Sequence, residues 1–298
     1  MMCPSRSYKL KSSTNFMGKR VVVIGKRGFV GGAVVQELYS RGMNILEIGR
    51  EDLKNATHSA NNFFVEKLKD GDTVIYAAAD APVKSTDQFI SNLKSFDYFI
   101  EAAREFQLSQ LIYVSSDAVY LDSRNRLTED SLRAPDSLHG LMHLTRETIL
   151  TKSDLRDALC IVRPTLIYGA RDPHNGYGPN SFMRLAKSGE DIVLFGNGEE
   201  LRDFIHISDV AHTIVELVLM NFHGVLNIAT GEECSFKDVA NVTLETLGID
   251  RQVKSTIRRG PIPHGGFRAF DVKNLHTLLP NWKPKSIRHG LQLMHQGF

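Results

Sequence analysis

Residues 20–42 read RVVVIGKRGFVGGAVVQELYSRG, and this stretch decides the fold class. Its opening VVVI is apolar at every position, which predicts a short strand buried on both faces. Gly25, Gly28 and Gly31 follow at a spacing of three, and FVGGAVVQELYSRG continues with helical periodicity. Glycine at those places lets the chain turn sharply after the strand and brings backbone close to a pyrophosphate at the helix N-terminus. The strand before and the helix after are the context such a motif requires. Gly25, Lys26, Arg27, Gly28, Phe29, Val30 and Gly31 are therefore read as a dinucleotide-binding loop, with a plain tight turn as the bland alternative.

Working outward, the same rhythm repeats. Apolar runs at MNILEIG (43–49), TVIYAAA (73–79), LIYVSS (111–116), LCIVRPT (159–165) and LNIAT (226–230) alternate with segments 29–41, 87–107 and 137–152, each long enough for a crossover helix. Such alternation predicts a doubly wound α/β fold with a parallel sheet. Past Thr165 the rhythm breaks into YGARDPHNGYGPN (168–180) and later RRGPIPHGG (258–266), rich in turn residues. The expected organisation is a flexible tail at 1–18 and a dinucleotide-binding domain at 19–167, completed by about 205–231. A smaller substrate-binding lobe would then come from 168–204 and 232–298.

Composition excludes several partners. Across 298 residues the net charge is only +2, too small to argue for nucleic acid. No run of 18 apolar residues occurs, so no membrane partner is expected. Three cysteines, Cys3, Cys160 and Cys234, lie far apart and suggest neither a disulfide framework nor a zinc site. The expected location is the reducing cytoplasm, where the sequons at Asn55 and Asn241 have no meaning.

Cofactor choice is read at the end of the second strand, where NAD binders usually carry an acid for the ribose. Here the strand ends in Gly49-Arg50. A guanidinium can pair with a 2′-phosphate, and Lys26 and Arg27 add charge, so NADP is expected over NAD. By position, the ligand crevice at the carboxyl ends of the strands should hold Gly25, Ala77, Ala78, Ala79, Ser115, Ser116, Arg163 and Pro164.

With these pieces in place, the chain from about Lys19 onward resembles the extended short-chain dehydrogenase/reductases, the epimerase/dehydratase family that modifies nucleotide sugars. Besides the glycine loop, the matching pieces are YAAA (76–79), Asn92, YVSSDAVY (113–120), RPTLIYG (163–169), GNGEELRDFIHISDVA (196–211) and Trp282 to Pro284. The resemblance implies that Ser116 hydrogen-bonds the reacting sugar oxygen and that Arg202 contacts the diphosphate of a nucleotide-sugar substrate. Arg268, Asn180 and Lys84 are implied for the same pocket, and Asn92, Asp52 and Leu53 for the cofactor side. Ala118 stands where the family's dehydratases carry an acid, which leaves 4-keto reduction or epimerisation. Many members pair through helices such as 87–107 and 137–152, so a homodimer is expected.

One departure outweighs these matches. The family places an acid/base Tyr and a Lys four residues apart, whereas this chain has His139 and His143 in PDSLHGLMHLTRE (135–147). On a helix whose packing side is Leu138, Leu141, Met142 and Ile149, these histidines would share one neighbouring face. Imidazole titrates near neutrality without an adjacent cation, so Ser116, His139 and His143 are expected as the catalytic group, with His139 as the acid/base and His143 contacting the nicotinamide ribose or tuning His139. Equally open is a catalytically inactive protein of the same fold that binds NADP or a nucleotide sugar as a regulator or scaffold. A metal site from His139, His143 and Glu147 is disfavoured, because zinc sites draw ligands from separate elements.

Overall fold

The computed structural model describes residues 19–54, 60–174 and 176–297. The expected tail at 1–18 and the sequon at Asn55 lie outside the described residues, as does the Leu53 side chain. In the first half, β1 (Arg20–Ile24), α1 (Phe29–Ser40), β2 (Asn44–Ile48), α2 (Arg50–Lys54), α3 (Ala60–Lys67) and β3 (Thr73–Tyr76) are followed by α4 (Thr86–Ala103), β4 (Gln110–Val114), α5 (Leu138–Lys152) and β5 (Leu159–Pro164). The second half adds β6 (Leu166–Tyr168), α6 (Pro179–Lys187), β7 (Val193–Phe195), β8 (Leu201–His206), α7 (Ile207–Leu219) and β9 (Gly224–Ile228). It closes with β10 (Glu233–Ser235), α8 (Phe236–Leu247), β11 (Lys254–Thr256), β12 (Phe267–Arg268), α9 (Lys273–Leu278) and α10 (Ile287–Gln296).

Six parallel strands form the main sheet in the order β2-β1-β3-β4-β5-β9. Strand periodicity divides β1 between two cores: Val21 and Val23 pack with Val34, Leu38, Val210 and Ile214 of α1 and α7. Val22 and Ile24 pack instead with Phe64, Phe96 and Phe99 from α3 and α4. Because β2 and β3 lie on opposite sides of β1, the strand order reverses there, and a crevice opens beyond the carboxyl ends of β1 and β3. A third core gathers Phe182, Leu194, Phe204, Phe236, Val239 and Leu291, all from residues after the fifth strand. Its strands β10, β8 and β12 form a second sheet, and β6 also pairs with β8.

Helix α5 differs from the reading of its packing side. Leu138, Leu141 and Ile149 are 37%, 43% and 38% exposed, and the buried face is Gly140, Met142, His143, Arg146, Glu147 and Leu150. The reason is chemical: polar groups on that face find partners in the loop after β3, on α4, on β4 and on β5, and a buried polar group needs such partners. Ser137 caps the helix by accepting from the Gly140 N–H at 3.1 Å.

Candidate active site

The glycine loop is fixed by backbone contacts. Gly25 has φ of +106°, and a Cβ there would stand 2.9 Å from the Ala77 carbonyl carbon and oxygen. A Cβ on Gly31 would fall 2.2 Å from the Gly25 oxygen. The first turn of α1 therefore sits directly on the loop, and Gly28 caps it without a side chain. Its leading N–H groups face the crevice as an anion cradle, which fits the pyrophosphate of a nicotinamide dinucleotide.

At the end of β2 the expected cations are all met by acids. Lys26 lies 3.0 Å from Asp52 and 3.6 Å from Glu51, and Arg27 lies 3.0 Å from Glu51. The Asp52 carboxyl accepts the Gly49 N–H at 2.7 Å, and that bond together with Lys26 holds it below the usual carboxylate range. Arg50 pairs with Asp80 at 3.2 Å, both side chains remaining exposed. Asn92 directs its amide at the chain itself: Oδ1 accepts from Asp80 N–H at 2.9 Å, and Nδ2 donates to the Asp80 and Gln88 carbonyls. It shapes the loop after Ala79. Lys84 is exposed just ahead of α4.

On the inner face of α5, His139 and His143 stack edge to face with ring centroids 4.7 Å apart. His143 is buried, its Nδ1 lies 2.7 Å from the Tyr113 hydroxyl, and desolvation holds its pKa well below the ordinary histidine value. Burial also lowers His139, against the pull of the Asp117 carboxylate, and its Nδ1 has no hydrogen-bond partner among the described residues. Ser116 accepts the Ala118 N–H at 3.1 Å and donates weakly to Asp117 at 3.4 Å. Ser115 donates to Glu147 at 2.6 Å.

Beneath the histidines lie Arg146, which the sequence reading left without a role, and the Glu147–Arg163 pair. Arg146 is buried and donates to the Ala78 carbonyl at 3.0 Å and the Asn92 carbonyl at 2.5 Å. Its guanidinium covers the Phe96 ring at 4.9 Å and the Tyr76 ring at 5.5 Å. Glu147 and Arg163 form a buried two-pronged pair at 2.9 and 2.7 Å, and Arg163 also donates to the Tyr120 hydroxyl at 2.8 Å. A signal for Arg146 was present, since it follows His139 and His143 by seven and three residues and shares their helix face.

The far wall comes from β8 and β12, where Arg202 and Arg268 are register partners. Arg202 is buried, and its donors go to the Leu201 and Pro263 carbonyls, each at 2.8 Å. Among the described residues Arg202 forms no ion pair with the nearby acids Asp203 and Asp209. Asp203 accepts from Thr230 and Gly231, and Asp209 pairs with Lys285 at 2.7 Å. Arg268 reaches Asp117 at 3.0 Å and Asp122 at 2.9 Å, so this wall joins the Ser116 turn. Asn180 holds the loop after β6, accepting the Gly169 N–H at 3.1 Å and donating to Asp172. Among the described residues no cluster of His, Cys, Asp or Glu is arranged to hold a metal, and no helix is long and apolar enough to cross a membrane.

Comparison with known proteins bears on this geometry. The profile of the NAD dependent epimerase/dehydratase family matches residues 21–229. A dTDP-4-dehydro-6-deoxy-D-allose reductase of Streptomyces bikiniensis is 23% identical, with 94% of this chain and 96% of that protein covered. The GDP-L-fucose synthase of Escherichia coli K12 is 25% identical with the same coverage. Among solved structures, MoeE5 in complex with UDP-glucose and NAD superposes with a TM-score of 0.77 at 25% identity, covering 94% of this chain and 98% of that one. A UDP-glucuronic acid 4-epimerase from Bacillus cereus shares the fold, with a TM-score of 0.79 at 20% identity over 93% of this chain and 98% of its own.

Proposed function

We propose, from the premise that this chain belongs to the NAD dependent epimerase/dehydratase family, that it is a cytoplasmic oxidoreductase acting on a nucleoside-diphosphate sugar. The reaction is 4-keto reduction or epimerisation, with NADP preferred over NAD. The observation that carries the reading is Arg202: a buried guanidinium whose hydrogen bonds go to backbone carbonyls, beside Arg268, leaves positive charge for a diphosphate to answer. The two relatives named as a reductase and a synthase of nucleotide sugars support the same class. Segments 168–204 and 232–298 form the substrate lobe, with Arg202 and Arg268 on its cleft side.

In this reading the bound nicotinamide supplies or takes the hydride, and the chain does the rest. Gly25 to Gly31 and the N-terminus of α1 hold the pyrophosphate. Arg50 exchanges its exposed partner Asp80 for the 2′-phosphate, a small loss since exposed ion pairs contribute about 0–1 kcal/mol. Ser116 orients the sugar oxygen, His139 delivers or removes its proton, and His143 contacts the nicotinamide ribose. Exposed Ile90 and Tyr98 on α4, with Leu138, Leu141 and Ile149 on α5, support pairing of two copies through these helices.

The test is single-turnover oxidation of NADPH with a panel of 4-keto nucleotide sugars. His139→Asn should cost about 10²–10⁴ in rate, the usual contribution of a general acid. Reduction should accelerate as pH falls below 6.5, because burial lowers the His139 pKa and only its protonated form can donate. Arg202→Ala should abolish sugar-nucleotide binding and leave NADP binding intact, while Arg50→Ala should erase the preference for NADP over NAD. Absence of hydride transfer across the panel would end the enzymatic reading in favour of a binding protein of the same fold.

A further inference from the structure

We infer that Tyr113 and Arg146 fix the tautomer of His143: the Tyr113 hydroxyl donates to Nδ1, so the ring carries its hydrogen on Nε2 and meets the cofactor as a neutral donor. This rests on the reading above only for what lies beyond Nε2. The assignment of the hydrogen follows from the protein alone.

A 2.7 Å contact between a phenol and an imidazole nitrogen can run either way. What stands on the other side of the phenol decides it. Tyr113 is buried in β4 among Tyr76 and Phe96, and desolvation raises its pKa, so the hydroxyl keeps its proton. The Arg146 guanidinium is held by the Ala78 and Asn92 carbonyls over the rings of Tyr76 and Phe96, the two rings that pack against Tyr113, and its charge acts on that hydroxyl. An O–H dipole beside a fixed cation turns its lone pairs toward the cation and its hydrogen away. Away from Arg146 the acceptor is His143 Nδ1. If His143 donated instead, the phenol hydrogen would have to point at the guanidinium.

The charges around the ring agree with a neutral imidazole. Arg146 lies three residues along the same helix, His139 stacks against the ring, and both disfavour a second proton. The Glu147 carboxylate, the nearest acid on α5, is occupied by Arg163 and Ser115. Tyr113 and Arg146 are thus positioning residues.

The full-length protein with isotope-labelled histidine, free of cofactor and above pH 7, allows the ring nitrogens to be read by long-range proton–nitrogen correlation. His143→Gln identifies the signals. We expect one tautomer in the wild type, with Nε2 protonated and Nδ1 bare. Tyr113→Phe, which removes a single oxygen, should release the ring into both tautomers. Arg146→Met should do the same, and Arg146→Lys, which keeps the charge, should preserve the wild-type pattern. Addition of NADP should move the Nε2 signal and leave Nδ1 in place. A protonated Nδ1 in the wild type, unchanged nitrogens in Tyr113→Phe, or a response confined to Nδ1 on adding NADP would overturn the inference. Hydride transfer does not enter these readouts, so failure of the enzymatic reading and failure of this one are separable.

Discussion

The glycine loop and the inner face of α5 meet at the segment after β3, which touches both: Ala77 lies against Gly25, and Ala78 accepts from Arg146. They are built by opposite means. The loop has no buried charge, and its shape is dictated by where a Cβ cannot go. The α5 face is made of buried ionisable side chains, Arg146, Glu147 and His143, whose partners come from β4, β5, α4 and the loop after β3. A cofactor cradle can thus be a local property of the chain, whereas the proposed proton-handling end exists only once the sheet has assembled around it.

The comparison predicts its largest effect at the Glu147–Arg163 pair. Glu147→Ala leaves a guanidinium buried without its carboxylate and should cost about 3–5 kcal/mol in urea unfolding. Adding Arg163→Met should recover most of that loss, because a matched apolar pair is often neutral. A single-variant loss below about 1 kcal/mol would place the pair with ordinary surface ion pairs.

Acid should also bear on the comparison, since the α5 face carries two histidines and the glycine loop carries none. His143 and His139 have pKa values lowered by burial, and His206 is lowered to about 4. In each case the unfolded chain takes up a proton near pH 6.5 before the folded one does, so stability falls as pH drops below 6.5. Each such histidine contributes up to about 1.4 kcal/mol per pH unit. Asp203, pushed up to about 6 by burial, acts in the opposite sense below pH 6, because the folded state binds its proton first. Three groups against one give a net loss between pH 6.5 and 5, visible as a lower urea midpoint. A flat profile would contradict the burial assigned to His139, His143 and His206.

Smaller still is the effect expected at the loop. Gly31→Ala would set a methyl 2.2 Å from the Gly25 oxygen, forcing a local shift that costs about 1–3 kcal/mol. NADP affinity should fall at least about tenfold, or 1.4 kcal/mol, by calorimetry. Wild-type affinity in this variant would mean that the loop adapts and that the cradle is not set by steric exclusion.

What could be read beforehand follows the same division. Strand, glycine loop and helix in residues 20–42 were legible because the constraint acts between near neighbours, and the parallel sheet followed from repetition of that unit. The inner face of α5 was misread. Apolar periodicity assigns Leu138, Leu141 and Ile149 to the interior, and nothing local announces that Arg146 will find the carbonyls of Ala78 and Asn92, 68 and 54 residues earlier. Arg202 could be picked out in the sequence, but not its burial or its lack of a carboxylate, which depend on β12 and Pro263 arriving beside β8. The pairing of Lys26 and Arg27 with Glu51 and Asp52 needed β2 to lie in register with β1.

The place of β9 has a consequence for biosynthesis. Its residues 224–228 close the edge of the main sheet on β5, and α7, which covers α1, precedes it directly. During translation the first five strands are complete by residue 164, yet β5 then carries a row of unpaired amides and carbonyls beside uncovered valines of β1 and α1. That intermediate is an adhesive edge of the kind that pairs with other chains. The main sheet must wait for a further 64 residues to leave the ribosome, and the far wall of the cleft waits longer still, for Arg268 on β12.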